Sequence, residues 1–342
     1  MKRSQARALL LVAALALASD GTFVVESADE ADNDDSWRKP VGNRNQFPPS
    51  LLVLALEPER GTALRRGESF FSFDFDYSNV ISIAEAPNEF IVVDLESARF
   101  LPHARVGLGR GVELGAAVPI FYFYGGFLDG FISGFHETFN LPNSVRLREP
   151  EDLIRYRYLV GRRRVIDRWD SVGGLGDATV SIKKAFDLPH RSELALRAAV
   201  KLPTGSLDHL TGSGATDFGF GVAASRVGRR FGGYFNGYYH VLGRPDASRL
   251  ATRSYLSLNV GIDARLKKNL AGIIELDHLG RFIESDLPVF NRGALQLVFG
   301  LRYRASDRFT YEFRFTEDLS RAAPDFTVGM RWEYFRKAAL KR

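Results

Sequence analysis

The chain contains no cysteine and only two methionines, and after residue 18 no apolar run is long enough to cross a bilayer as a helix. The first absence excludes disulfides, thiolate metal sites and a cysteine nucleophile. The last excludes a transmembrane helix, which needs about 20 apolar residues, but leaves open a crossing made by strands. Also missing is a phosphate-binding G-x-x-x-x-G-K-[ST] motif. The glycine-rich PTGSLDHLTGSGATD leads into no strand-to-helix context and reads as turn chemistry. Histidines stand alone at 103, 136, 190, 209, 240 and 278 with no H-E-x-x-H pairing, so neither a metal site nor a cofactor is expected.

What is present begins with MKRSQAR, a basic start, followed by the apolar ALLLVAALALA and an A-x-A site at Ala16–Leu17–Ala18. This reads as a secretory signal peptide over residues 1–18, cleaved after Ala18. Loss of Lys2, Arg3 and Arg7 lowers the net charge from +5 to +2, and the remaining basic residues are spread out, so no nucleic-acid partner is expected. Residues 19–42 are acidic and weakly hydrophobic, and are expected to be disordered.

From Phe70 onward the chain alternates with period two. FFSFDFDY sets Phe71, Phe73, Phe75 and Tyr77 against Ser72, Asp74 and Asp76. RFTYEFRFTE sets Phe309, Tyr311, Phe313 and Phe315 against Thr310, Glu312 and Arg314. Period two over about ten residues marks a strand. Twelve such segments can be drawn, at 70–77, 91–107, 111–122, 173–186, 192–204, 216–228, 231–243, 253–266, 270–280, 292–304, 308–316 and 326–335. Tight turns alternate with longer connections, expected at 79–90, 123–172, 205–215, 244–252, 281–291 and 317–325. An even strand count with short turns on one rim and long loops on the other is the pattern of an all-β, antiparallel up-and-down transmembrane β-barrel. A soluble sandwich or lipocalin-like barrel is the alternative, because any half-buried sheet alternates.

Two features favour the membrane barrel. The apolar face is aliphatic at mid-strand and aromatic towards the ends, as an interfacial girdle is. The opposite face carries Asp94, Glu96, Arg197, Lys201, Glu312, Arg314, Arg331 and Glu333, too many charges for a soluble core and suited to a lumen. The barrel is placed at 43–336, with a basic tail at 337–342 after Phe335. Asp94 and Glu96 could form an acid–base pair, but partnership with lumen arginines such as Arg197 or Arg331 is the preferred reading.

Within the 123–172 loop, YGGFLDGFISGFHETFNLPNSVR stands apart. On a helix, Phe127, Leu128, Phe131, Ile132, Phe135 and Phe139 form one apolar stripe. Asp129, Ser133 and His136 lie opposite, within about 60° of one another. Catalysis by a hydroxyl, a base and a carboxylate is conceivable, but an amphipathic loop helix that plugs or narrows the barrel is preferred. The second half of the loop, RLREPEDLIRYRYLVGRRRVIDRWD, reads either as a lipopolysaccharide contact or as a solvated extension of the strands.

Several motifs carry a family resemblance: Gly125-Gly126-Phe127-Leu128-Asp129 through Phe135-His136, Phe139, Leu141-Pro142 and Arg146; Gly176-Asp177; and Lys201-Leu202-Pro203-Thr204-Gly205 with Thr211-Gly212-Ser213-Gly214. With Asn45-Gln46, Pro48, Asp94 and Glu96, they resemble the proteobacterial domain-of-unknown-function family 3187 over roughly residues 43–335. A weaker similarity extends to barrels assigned to phenol degradation or transport. The resemblance implies a Gram-negative outer-membrane barrel and brings no mechanism with it. The leading expectation is a non-enzymatic channel or transporter for a small-molecule solute, gated by the 123–172 loop. The alternatives are a lipid or lipopolysaccharide hydrolase using His136 with Ser133 or Asp129, and a structural barrel contacting lipopolysaccharide. Outer-membrane lipid and, during biogenesis, the barrel-assembly machinery are the other expected partners.

Overall fold

The structure is a computed structural model and describes residues 35–126, 154–189, 191–244, 250–320, 322–324 and 326–338. Sixteen strands form one sheet: β1 (Ser69–Ala86), β2 (Glu89–Gly109), β3 (Val112–Ala117), β4 (Ile120–Tyr124), β5 (Arg155–Val160), β6 (Arg163–Arg168), β7 (Val172–Leu175), β8 (Thr179–Asp187), β9 (Ser192–Lys201), β10 (Asp217–Val227), β11 (Phe231–Val241), β12 (Tyr255–Lys267), β13 (Leu270–Leu279), β14 (Ala294–Arg304), β15 (Phe309–Asp318) and β16 (Phe326–Arg336). Each pairs antiparallel with its neighbours, and β1 pairs with both β16 and β2, which closes the barrel. Two staves are broken. β3 and β4 both lie along β2 and form one stave, interrupted at Val118–Pro119, where proline cannot donate to the ladder. β7 and β8 form the next, interrupted at 176–178. Counting each broken stave once, and leaving aside the β5–β6 hairpin, the barrel has twelve staves, one for each segment of alternation.

The alternation sorts chemistry as a lipid-facing barrel requires. Along β15, Phe309, Tyr311 and Phe313 are exposed while Thr310, Glu312, Arg314 and Thr316 are buried. Around the wall, Phe220, Ile274 and Leu301 are about half exposed, whereas Asp74, Arg302 and Arg314 are 0% exposed. Apolar outside and charged inside is the reverse of a soluble core.

Two connections differ from expectation. The chain over 79–90 is no loop, because β1 and β2 stay in register from Ser69↔Val106 to Ala86↔Glu89 and turn only at Pro87–Asn88. Within 123–172, β5 and β6 form a hairpin that turns at Gly161 (φ +59°), and β5 pairs with the outer half of β2 from Glu89↔Val160 to Asp94↔Arg155. The described part of the arginine-rich half of that loop, from residue 154 onward, is therefore a strand extension. It gives β2 a second partner beyond the point where β4 ends, so these backbone groups find bonds inside the sheet.

The largest departure concerns residues 35–68. Residues 35–42, expected to belong to a disordered tail, and residues 43–64, from the stretch expected to open the barrel domain, run inside the lumen, and Arg65, Arg66 and Gly67 are exposed at its tight-turn rim. The chain enters beside the β10–β11 turn, where Arg38 bonds Gly228 O at 2.6 Å. It rises to a single helical turn, α1 (Pro48–Leu51), with Pro48 and Pro49 at its start, and descends to β1. Low hydrophobicity does not keep Asp35–Gly42 out of the barrel, because acids of the wall supply Arg38 and Lys39 with the partners that water otherwise would.

Candidate functional site

The lumen is filled by that excursion, which the wall holds through its inward side chains. On the way in, Arg38 makes a forked ion pair to Asp263 (2.6 and 3.1 Å), and Lys39 meets Glu333 at 2.8 Å. Val41 N–H donates to Glu275 (2.6 Å), and Asn43 donates to Asp277 (2.7 Å). The apex is tied to itself: the Arg44 guanidinium donates to the carbonyls of Ser50, Val53 and Ala55 at 2.6–2.9 Å. On the way out, backbone N–H groups donate to wall side chains in succession, Leu54 to Asp217, Leu56 to His240, Glu59 to Asn236, Gly61 to Ser225 and Leu64 to Glu113. An extended segment in a narrow lumen cannot join a sheet on both edges, so polar side chains of the staves satisfy its amides.

The apex meets an apolar cap on the long-loop side. Phe47, Leu51, Leu52 and Val53 pack with Val80, Ile91, Val93 and Leu95 of the β1–β2 hairpin. The same cluster takes in Tyr156 and Tyr158 of β5 and Phe282, Ile283, Leu287 and Phe290 of the β13–β14 loop. Phe47 and Tyr158 both contact the ring of Phe290, at 6.3 and 5.7 Å between centroids.

Below the cap, on the tight-turn side, a cavity of about 1250 Å³ opens between the descending arm and the wall. It is lined from Arg308 and Lys337 at the rim up to Phe121 and Leu51 beneath the cap. At its centre are the carboxylates of Glu57 and Glu59. Glu57 pairs with Arg99 and, at 2.9 Å, with Arg331. Glu59 pairs with Lys183 (2.7 Å), Arg197 (2.9 Å) and Arg105 (3.4 Å). Burial alone would raise Glu57, but Arg99 and Arg331 outweigh it and hold the carboxyl at about 2. Glu59 is likewise held well below the usual carboxylate range, Arg197 and Lys183 prevailing over burial. Lys39 moves the other way, since burial lowers it to about 7 against the pull of Glu333.

The eight lumen charges picked out from the sequence are all buried. Arg331 bonds Asp74 (2.5 Å) as well as Glu57, and Arg314 bonds Asp76 and Asp74 (2.5 and 3.3 Å). Glu312 pairs with Arg302, and Glu333 with Lys39. Lys201 reaches Asp177 (2.5 Å), Asp217 (3.2 Å) and the carbonyl of Leu52 (3.1 Å), tying the Gly176-Asp177 and Lys201–Gly205 motifs to the apex. Arg197 donates to Glu57 O (2.7 Å) besides its pair with Glu59. Asp94 and Glu96 do not serve Arg197 or Arg331. They lie towards the long-loop end, Asp94 opposite Arg155 in the ladder and Glu96 accepting from Tyr77 and from Asn79 (3.2 Å).

The phenylalanine stripe (Phe127, Leu128, Phe131, Ile132, Phe135, Phe139) and the Asp129/Ser133/His136 set lie outside the described residues. Sequence reasoning missed Glu57 and Glu59. Their signal is LLVLALEPER, a solid apolar run followed by two carboxylates, which breaks the period-two rule of every lipid-facing stave.

The family model described as Protein of unknown function (DUF3187) matches residues 19–334. Among solved structures, the chain is similar to the COG4313 outer membrane channel from Pseudomonas putida F1, with a TM-score of 0.56 and 12% identity, over 82% of this chain and 100% of that one. The CymD monoaromatic hydrocarbon channel (TM-score 0.40, 10% identity, 80% of this chain and 89% of that one) and the KdgM porin (0.40, 10%, 77% and 98%) superpose less well. No curated protein matches the chain.

Proposed function

The chain belongs to the family described as Protein of unknown function (DUF3187), and from that premise and its filled lumen we propose that it is an outer-membrane channel for a small solute, held shut by its own residues 35–68. One observation carries this reading. The lumen is blocked by a separate arm anchored through side chains, with an open cavity beside it, and not by the staves' own side chains packing across it. A barrel serving only as a scaffold needs no second, charge-matched insert. The COG4313 protein, similar in fold, is named an outer membrane channel, and that activity is carried to this chain as part of the proposal.

In this reading residues 1–18 direct export, the tight turns and both termini face the periplasm, and residues 337–342 form a basic periplasmic tail. The half-exposed apolar face meets lipid, and the long loops face lipopolysaccharide. The gate in this reading is the N-terminal arm. The test is conductance in planar bilayers for the full chain and for a chain lacking residues 35–66. Larger or more frequent openings in the deletion support the reading. Silence from both, with the barrel intact by heat-modifiable gel mobility, overturns it.

A further inference from the structure

The two carboxylates of the Glu57-Pro58-Glu59 tripeptide occupy a place that the wall has furnished for anions. Five cations converge on them from four separate strands: Arg99 and Arg105 of β2, Lys183 of β8, Arg197 of β9 and Arg331 of β16. The wall's own acids do not match this number. Glu113 is shared by Arg105 (3.2 Å) and Lys183 (3.0 Å). Asp74 is divided between Arg331 (2.5 Å) and Arg314 (3.3 Å), and Asp76, held by Arg314 at 2.5 Å, reaches Arg99 only at 3.4 Å. Among the described residues, the ion pair of Arg197 is to Glu59. Withdrawal of the arm therefore leaves the buried Arg197 without a carboxylate and the other four cations sharing Asp74, Asp76 and Glu113, which is costly unless another anion takes the place. All seven groups line the open cavity, so a solute entering from the tight-turn side reaches them. The cavity as a whole draws anions, with fifteen Lys and Arg lining it against nine Asp and Glu.

We propose that this cluster is a binding site for small dicarboxylate solutes, and that Glu57 and Glu59 are a built-in ligand with which the solute competes. The spacing fits such a class. Carboxylates two residues apart on an extended segment are about 6.6 Å apart along the chain, and guanidinium forks favour planar carboxylates. The depressed carboxyls of Glu57 and Glu59 report the same preference for negative charge. A solute that displaces them loosens the descending arm where five charges hold it, which couples binding to opening. The proposal rests on the plugged-channel reading for that coupling, but not for the binding itself.

The test uses the full chain carrying Glu57→Gln and Glu59→Gln, titrated with terephthalate by calorimetry and with the neutral terephthalamide as control. At least tenfold tighter terephthalate binding than in the wild-type chain is expected. The affinity falls with added salt and with Arg197→Gln in the same background, and terephthalamide does not bind. If the double variant does not fold by heat-modifiable mobility, Glu59→Gln alone gives the same test. A folded variant that binds terephthalate no tighter than wild type overturns the site. Conductance of the same variant separates the two readings. Opening without tighter binding keeps the channel and removes the site, and tighter binding without opening keeps the site and removes the gate.

Discussion

A covalent lock between arm and wall tests the gate directly, and the chain suits it because it has no cysteine of its own. Val41 is fully buried against Ile273 and Val298. Gly300 faces it from β14, in line with the inward Val298 and Arg302. A Cβ built on Gly300 falls 2.6 Å from Val41 Cγ2. With about 1.5 Å for the bond from Cγ2 back to Cβ, the two Cβ atoms lie at most about 4.1 Å apart, within the ~3.5–4.5 Å a disulfide spans. Val41→Cys removes the methyl that a side chain at 300 would strike, so the pair fits where Gly300→Ala alone pushes the arm away. With the barrel folded in either state, the ring that closes is the arm of roughly 28 residues between Val41 and Ser69. Chain entropy then favours the seated arm by about 3–4 kcal/mol over the reduced protein, a few hundredfold in population. The assay is bilayer conductance or liposome flux before and after reductant, with the cross-link quantified by mass spectrometry. Silence when oxidised and recovery when reduced are expected. Equal flux in both states, with the cross-link complete, refutes the gate.

Three further outcomes follow from the same geometry. Glu57 titrates near 2 in place against about 4.5 when free, so its contribution is complete above about pH 4.5 and disappears as pH falls through about 2. Pepsin should spare residues 35–68 at pH 4 and cut them as pH approaches 2, and loss of protection already at pH 5–6 contradicts the anchoring. Arg38→Met leaves Asp263 buried with, among the described residues, the Tyr234 hydroxyl (3.1 Å) as its side-chain partner. Its cost should be ~3–5 kcal/mol, seen as a lower urea midpoint, and a change of under ~1 kcal/mol would show that the pair does not hold the arm. Ile274→Arg on the outward face of β13 should destabilise the barrel in lipid by ~2–4 kcal/mol. A neutral effect on unfolding in vesicles would mean that this face does not meet lipid.

Period two carried most of the fold. In β15 and β16 it separates Phe313 and Trp332 from Arg314 and Arg331 without reference to any other part of the chain, because a strand alternates its faces regardless of what it packs against. The same rule cannot see a broken stave, since Val118–Pro119 interrupts pairing while the apolar pattern runs on. It also misjudged 79–90, where the hairpin persists because β5 supplies β2 with a partner from 61 to 71 residues away.

The arm was hidden for a different reason. Residues 35–68 have neither strand nor helix period, and such a segment is ordered only if something outside it meets its amides and charges. Local sequence determined that there would be twelve staves, apolar outside and charged within. Only the tertiary structure decided what the inner charges are for. Arg331 meets Glu57 across 274 residues of chain and Arg38 meets Asp263 across 225. Such pairings depend on closure of the barrel, which brings five cations to one point in space that no spacing along the chain encodes.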